Sequence, residues 1–135
     1  MGISSVNLVF LFVCICLLSH MKDGEAVGDK YTVHITNDLG NNNQLSIHCK
    51  SDHSDLGVHV LRESQEFHWT FEVFRLTTYQ CNMMGEKHSK TIQVFISNEP
   101  FLERCIGECF WSVRDEGFYM KDDRDGKWKL AYTWN

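Results

Sequence analysis

The amino-acid sequence predicts an all-β protein, a small antiparallel β-sandwich of about eight strands with two disulfides. Three observations lead to this fold class: apolar and polar residues alternate in short runs, turn-forming residues separate the runs, and four cysteines lie within the alternating region. Alternation gives each strand one apolar face, and strands of this kind must close into a sandwich or a barrel to bury those faces. A sandwich is the preferred architecture.

The first 26 residues are predicted to be a secretory signal peptide. Residues 6–18 form a run of 13 residues that is apolar except for Asn7, too short to span a membrane as a helix and typical of a signal-peptide core. Gly24 and Ala26 are small residues where a signal peptidase requires them, so we expect cleavage after Ala26. The predicted domains are thus a signal peptide at 1–26 and a β-sandwich at 27–135, in a secreted, extracellular protein. Residues 1–5 carry no Lys or Arg, which leaves an uncleaved anchor as the alternative.

Eight rows of alternating apolar residues predict the strands in chain order. The first four rows are Tyr31, Val33 and Ile35; Leu45, Ile47 and Cys49; Phe67, Trp69, Phe71 and Val73; and Tyr79, Cys81 and Met83. The last four are Ile92, Val94 and Ile96; Cys109, Trp111 and Val113; Phe118 and Met120; and Trp128, Leu130, Tyr132 and Trp134. Each row is taken as the inward face of one strand.

Turn signals lie between these rows. They occupy residues 38–43, 51–57, 85–89, 98–100, 116–117 and 125–126. The Asp125-Gly126 pair supplies the positive φ values of a tight hairpin, so residues 118–120 and 128–134 are expected to pair as antiparallel neighbours. Within residues 55–57, Leu56 is expected to be buried and Gly57 to allow a sharp reversal.

The cysteines predict two disulfides in the mature chain. Cys14 and Cys16 lie in the signal peptide, and the other four remain: Cys49, Cys81, Cys105 and Cys109. Four cysteines allow three pairings, and the sequence leaves the pairing open. Zinc binding by Cys105 and Cys109 is the alternative, although secretion favours disulfides.

Charge and motifs exclude several classes of function. Without residues 1–26 the chain has 12 basic and 16 acidic side chains, a net charge of −4, and its basic residues are scattered. Nucleic-acid binding is therefore not expected. The sequence has no Gly-x-Ser-x-Gly motif, its cysteines are expected to be oxidised, and nothing singles out a pair of carboxylates. We predict a protein that is not an enzyme, with no cofactor, no small-molecule substrate and a monomeric state.

Histidines and tryptophans are assigned structural positions. Three histidines fall on polar strand faces, where we expect them at the surface or at an edge: His34, His48 and His68. His53 and His59 lie near Asp52 and Asp55, but a solvated loop is preferred over a metal site because no three ligands have a recognised spacing. The tryptophans all fall in inward registers, so core packing is preferred over carbohydrate stacking.

Several short motifs carry a resemblance to a known family. Residues 33–39 read Val-His-Ile-Thr-Asn-Asp-Leu, and residues 45–51 read Leu-Ser-Ile-His-Cys-Lys-Ser, followed by Asp-Leu-Gly at 55–57. Later blocks are Trp-Thr-Phe at 69–71, Thr-Thr-Tyr-Gln-Cys at 77–81, Trp-Ser-Val-Arg at 111–114 and Gly-Phe-Tyr at 117–119. In order and spacing the chain resembles the plant self-incompatibility S-proteins and their homologues. Gln80 departs from the pattern, since the family usually has an aromatic residue there.

The resemblance implies a secreted protein ligand in extracellular cell–cell signalling. It would be similar to the self-incompatibility stigma determinant that triggers rejection of self pollen, with an unidentified plant transmembrane receptor as its partner. The alternative is a secreted defence or glycan-binding protein. Recognition is expected on loops held by a rigid sandwich. The candidate recognition residues are Asp38, Asn41, Asn42, Asn43, Asp52, His53, Asp55, Glu86, Lys87, His88, Asp122, Asp123, Arg124 and Asp125.

Overall fold

The computed structural model describes residues 28–135, so the predicted signal peptide and its cleavage site lie outside the described residues. This part of the chain contains nine strands and one short helix. The strands are β1 (Asp29–Asn37), β2 (Leu45–Lys50), β3 (Asp55–Leu61), β4 (Glu66–Val73), β5 (Thr78–Met84), β6 (Ser89–Ile96), β7 (Glu108–Arg114), β8 (Gly117–Asp122) and β9 (Lys127–Tyr132). The helix, α1, is Glu99–Leu102. None of the helical structure in residues 28–135 is long and apolar enough to cross a membrane.

The strands form two sheets, which confirms the predicted β-sandwich with one strand more than expected. One sheet has five strands in the order β4-β1-β7-β8-β9, and the other has four in the order β3-β2-β5-β6. All neighbours are antiparallel except β1 and β7, which pair in parallel. The inward rows of both sheets supply the core, where Trp111 and Phe95 are the largest fully buried side chains. The Trp111 Nε1 atom donates to Val94 O at 3.0 Å.

Both disulfides form, and the structure settles their pairing. Cys49 and Cys81 lie opposite each other on β2 and β5, so this bond joins two neighbouring strands of the four-stranded sheet. Cys105 and Cys109 close a short loop that leads from α1 into β7. All four residues are almost completely buried.

Strand β3 was not predicted, because its side chains reverse the usual pattern. Residues 51–57 were expected to be a turn, but β3 begins at Asp55, and Gly57 adopts its positive φ of 76° inside the strand rather than at a reversal. Val58 and Val60 are 63% and 55% exposed. His59, by contrast, stacks on Phe67 with ring centroids 4.2 Å apart. A search for alternating apolar rows assigns apolar residues to the inner face, so it does not detect a strand whose apolar residues face outward and whose histidine faces inward.

The predicted hairpin between β8 and β9 forms, but the facing of β9 was predicted wrongly in part. Lys121 lies opposite Trp128 and Tyr119 lies opposite Leu130, so these pairs share the outer face. A register shift then leaves Ala131 unpaired and brings Tyr132 opposite the buried Phe118. The bulge moves Tyr132 to the inner face and leaves Trp128 and Leu130 outside, 41% and 51% exposed.

Candidate functional site

The predicted recognition loops lie at opposite ends of the sandwich. Leu45 at the start of β2 pairs with the last residue of β3, and Ser46 pairs with the last residue of β5. The segments before β2 and after β5 therefore meet at one end, with the β7–β8 turn and the C-terminus. We call this the Trp134 end, and it comprises residues 38–44, 85–88, 115–116 and 133–135. The opposite end, the Arg104 end, comprises residues 51–54, 103–107 and 123–126.

A cleft of about 330 Å³ opens at the Trp134 end. Its lining combines two of the predicted loops with residues from the β7–β8 turn and the C-terminus: Leu39, Asn41, Asn43, Gly85, Glu86, Lys87, His88, Asp115 and Trp134. The charged side chains in it carry both signs. A partly enclosed polar surface of this kind suits recognition of a polar protein surface.

Trp134 forms one wall of the cleft and is held from three sides. Its Nε1 atom donates to Arg114 O at 2.9 Å, and its ring packs on Phe118 with centroids 4.4 Å apart. His88 stacks on it from the β5–β6 turn at 5.8 Å. The Lys90 ammonium donates to the backbone oxygens of Thr133 and Asn135 at 2.6 and 3.0 Å, which keeps the C-terminal segment in place.

The loop at 38–44 is fixed by the buried side chain of Asn37. Its Nδ2 atom donates to Asn43 O at 2.9 Å and to Leu61 O at 3.0 Å, and its Oδ1 atom accepts from Leu39 N at 3.0 Å. The side chain is fully buried, and each hydrogen-bonding role of its amide has a partner. The amide thus ties the loop to the end of β3.

The tip of the same loop has a defined turn conformation. Asn41 and Asn42 have φ values of 59° and 57°, and Asn43 N donates to Gly40 O at 3.2 Å. Two central residues with positive φ are the pattern of a type I′ turn, which Asn tolerates better than other side chains. Gly40 N contacts the Asp115 carboxylate at 3.3 Å. The loop is therefore preorganised before any partner binds.

At the Arg104 end, the acidic residues of 122–125 form hydrogen bonds and ion pairs with other residues of the protein. Asp122 is 2% exposed and accepts from Arg124 Nη2 at 2.8 Å and from Lys129 Nζ at 2.9 Å. These hydrogen bonds hold the pKa of Asp122 well below its usual range. Asp123 Oδ2 accepts from Ile106 N at 2.6 Å, and Asp125 pairs with Lys129 at 2.9 Å. This loop mainly anchors the hairpin to the Cys105–Cys109 loop.

The 51–55 segment leaves Asp52 and His53 exposed while its neighbours bond locally. Ser51 Oγ accepts from His53 N at 3.3 Å, and Asp55 Oδ1 contacts His48 Nε2 at 2.6 Å. The hydrogen bond from Gly57 N–H, followed by that from His48, lowers the pKa of Asp55. His59 faces inward from β3, where it stacks on Phe67 and contacts Leu56 O, so it does not join Asp52, His53 and Asp55 in one cluster.

Sequence reasoning missed how residues from distant segments come together. Leu39, Asp115 and Trp134 complete the cleft at the Trp134 end. The alternation of the last row assigns Trp134 to the core, whereas it is half-buried and lines the cleft. A second set, His34, Glu66 and His68, meets on the five-stranded sheet. The only sequence signal for that set was that both histidines lie on polar strand faces.

The fold and the two disulfides place this chain in a class of small disulfide-bonded β-sandwiches. Residues 32–134 match the family described as Plant self-incompatibility protein S1. S-protein homolog 2 of Arabidopsis thaliana is 33% identical over 111 residues, which cover 78% of this chain and 69% of the relative. S-protein homolog 19 of the same plant is 33% identical over 107 residues, covering 76% and 75%. The chain belongs to the plant self-incompatibility protein S1 family.

A solved structure has the same fold. It belongs to the SPH (Self-Incompatibility Protein Homologue) proteins, described as a widespread family of small, highly stable, secreted proteins from plants. The TM-score is 0.61 at 19% identity, and the match covers 80% of this chain and 96% of the solved chain. The shared fold agrees with membership of the plant self-incompatibility protein S1 family.

Proposed function

We propose that the protein is an extracellular signalling ligand that binds a plant transmembrane receptor through the Trp134 end. The observation that carries this proposal is the convergence of two loops, 38–43 and 86–88, which are far apart in sequence, on one polar cleft with Trp134. Family membership supports a secreted protein of this type. Action without catalysis and a monomeric state remain predictions.

The rigidity of the cleft supports a role in binding. Asn37 and the turn at Asn41 and Asn42 fix one loop, and Trp134 and Lys90 fix the C-terminal segment. A surface that is ordered before binding loses less conformational entropy when a partner docks. In contrast, Glu86, Lys87 and His88 are exposed at the rim, where the charges of Glu86 and Lys87 can interact with charges on a partner.

A charge reversal at each end of the sandwich tests the proposal. Lys87→Glu changes the cleft, and Lys127→Glu makes the same change on an exposed residue beside the Arg104 end. We expect Lys87→Glu to weaken saturable binding of the labelled protein to pollen or protoplast membranes roughly 10-fold, because reversing a charge at the rim of an interface slows electrostatically steered association. Lys127→Glu should bind like the wild type. Calcium imaging of the same cells reports whether binding produces a signal.

Two results would overturn parts of this proposal. Loss of binding in Lys127→Glu but not in Lys87→Glu would move the recognition surface to the Arg104 end. If neither the wild type nor either variant binds saturably to plant membranes, the protein is not a receptor ligand. A chemically reduced sample serves as the control for folding, because both disulfides should be required.

Glycan binding in defence is a second candidate, favoured by the exposed Trp128 and the half-buried Tyr119 on the outer face of the five-stranded sheet. Trp128 is 41% exposed, and the Arg114 guanidinium lies 5.6 Å from its ring centroid and 4.2 Å from that of Tyr119. Exposed Trp and Tyr rings are the side chains on which sugar rings stack. Retention on a glycan array that is lost in Trp128→Ala would favour this function over the receptor ligand.

A further inference from the structure

Three side chains that can bind metal meet on the outer face of the five-stranded sheet. His34 on β1 lies directly opposite His68 on β4, and Glu66 shares the face of His68 because it precedes it by two residues. The Glu66 Oε2 atom is 3.0 Å from His34 Nδ1 and 3.2 Å from His68 Nδ1. All three atoms lie within 4.8 Å of one another.

These distances match the spacing of ligands around a tetrahedral metal ion. Bonds of about 2.0–2.1 Å from a zinc ion to nitrogen and oxygen place neighbouring tetrahedral ligand atoms about 3.3 Å apart. The two distances to Glu66 are close to that value. His68 is 61% exposed, so its ring has room to rotate and bring its Nδ1 atom to a similar distance from His34 Nδ1. Two histidines with one glutamate are a known zinc ligand set.

The second nitrogen of His34 gives an independent reason to place a positive charge here. Its Nε2 atom is 3.2 Å from Glu108 Oε1 on β7, so both ring nitrogens face carboxylate oxygens. A neutral imidazole has one N–H, and it can donate to only one of these carboxylates. When Nε2–H donates to Glu108, the lone pair of Nδ1 faces the Glu66 oxygen. Either a metal cation between those two atoms or a second proton on the ring removes the repulsion, and the two cases differ in the number of ring protons.

The surroundings of His34 resemble the support that proteins give to metal-binding histidines. Such residues usually donate their other ring N–H to a carboxylate, which fixes the ring and its tautomer, and Glu108 is placed for that role. The His34 ring also stacks on Phe110 at 4.4 Å with the planes 12° apart. The His34 side chain is only 14% exposed, so one ligand is held rigidly while Glu66 and His68 complete the site from the edge strand.

We propose that His34 Nδ1, His68 Nδ1 and Glu66 Oε2 form a binding site for a divalent transition-metal ion of the zinc class, with Glu108 as the positioning residue for His34. Nitrogen ligands select this class over calcium and magnesium, which prefer oxygen. The ion joins the edge strand β4 to β1, and its remaining coordination position points to solvent. This site lies on a sheet face, and it does not depend on the receptor proposal.

Zinc titration of the secreted protein tests the site. The full chain is expressed in a eukaryotic secretory host without a polyhistidine tag, and ZnCl₂ binding is measured by calorimetry. We expect one zinc ion per chain, and binding at least ~10-fold weaker in His68→Gln, since even loss of an outer partner has such an effect. Glu108→Gln should weaken binding roughly 10-fold through the orientation of His34. The matched control is His88→Gln, an exposed histidine at the Trp134 end, which should bind zinc like the wild type.

Nuclear magnetic resonance of the histidine rings in the wild-type protein gives a readout that needs no variant. Zinc should shift the ring signals of His34 and His68 and leave those of His53 and His88 unchanged. The proposal is overturned if the wild type does not bind zinc saturably, or if His68→Gln and His88→Gln bind it equally. It is also overturned if both ring nitrogens of His34 carry a proton in the presence of zinc, because the Nδ1 atom then has no lone pair to bind the ion.

Discussion

Asn37 is the residue on which the conformation of the Trp134 end most depends. It is a fully buried polar side chain in a core that is otherwise almost entirely apolar. Its backbone also takes part, since Asn37 N donates to Gln65 O at 3.0 Å and Asn37 O accepts from Ser64 N at 2.6 Å. One residue therefore connects the 38–44 loop, the end of β3 and the turn before β4.

Replacing Asn37 by Ala should lower the free energy of unfolding by roughly 2–4 kcal/mol. The change leaves the Leu61 and Asn43 carbonyls and the Leu39 N–H without their partners, and each unpaired buried group costs about 1–3 kcal/mol. Urea unfolding measures the effect. Asn82→Ala is the control, because the Asn82 side chain is exposed and makes one hydrogen bond, to Thr91 Oγ1 at 3.0 Å, so its loss should cost less than about 1 kcal/mol. Equal losses in the two variants would contradict this account.

At the level of strands and turns, the alternation of apolar residues predicted most of the fold. Six of its eight rows fall in strands with the predicted inward face, because half-buried strands of a sandwich must alternate. The exceptions were β3, with an inward His59 and outward valines, and two strands whose faces are exchanged by a bulge. In β6 the register shift brings the buried Phe95, and not Ile96, opposite the inward Tyr79. In β9 the bulge lies at Ala131. A bulge depends on how two strands pair, and one strand's sequence carries no direct sign of it.

The two disulfides should contribute unequally to stability. The Cys49–Cys81 bond spans 32 residues and the Cys105–Cys109 bond spans 4. In the chain-entropy description, a longer closed loop restricts the unfolded chain more, which gives about 4 kcal/mol for the first bond and about 2 kcal/mol for the second. Urea unfolding of the double variants Cys49→Ala/Cys81→Ala and Cys105→Ala/Cys109→Ala measures both. Since both pairs are buried, the two variants are matched for the cavities they leave, and an equal or reversed order would rule out the entropic explanation.

For the whole molecule, the sequence predicted which loops are polar but not which ones meet. The 38–43 and 86–88 loops share a cleft because β2 and β5 are antiparallel neighbours, and that pairing is set by the complete sandwich. The same holds for His34 and His68, which lie 34 positions apart in sequence and become neighbours only through the register of β1 and β4. The residue types of a candidate site are visible in the sequence, and their assembly requires the fold.

Carboxylates on both sheets should make the stability of the folded protein depend on pH in the acid range. Hydrogen bonds and ion pairs lower the pKa values of Asp55, Asp122 and Asp125 in the folded protein. The unfolded chain, with carboxyl pKa values of about 4, therefore takes up protons first as the pH falls. The stabilisation is complete above that pH and is lost as the pH falls through about 4 towards the folded pKa values.

Thermal unfolding followed from pH 7 to about pH 2 tests this expectation, with Asp122→Asn as the matched variant. The wild-type Tm should stay nearly constant down to about pH 4 and then fall. Asp122→Asn removes the charge that Arg124 and Lys129 bind, so its Tm should be lower at pH 7 and should decline less on acidification. The two curves should approach each other at low pH, because protonation of Asp122 in the wild type removes the same charge. Parallel curves over the whole range would show that Asp122 does not link folding to pH.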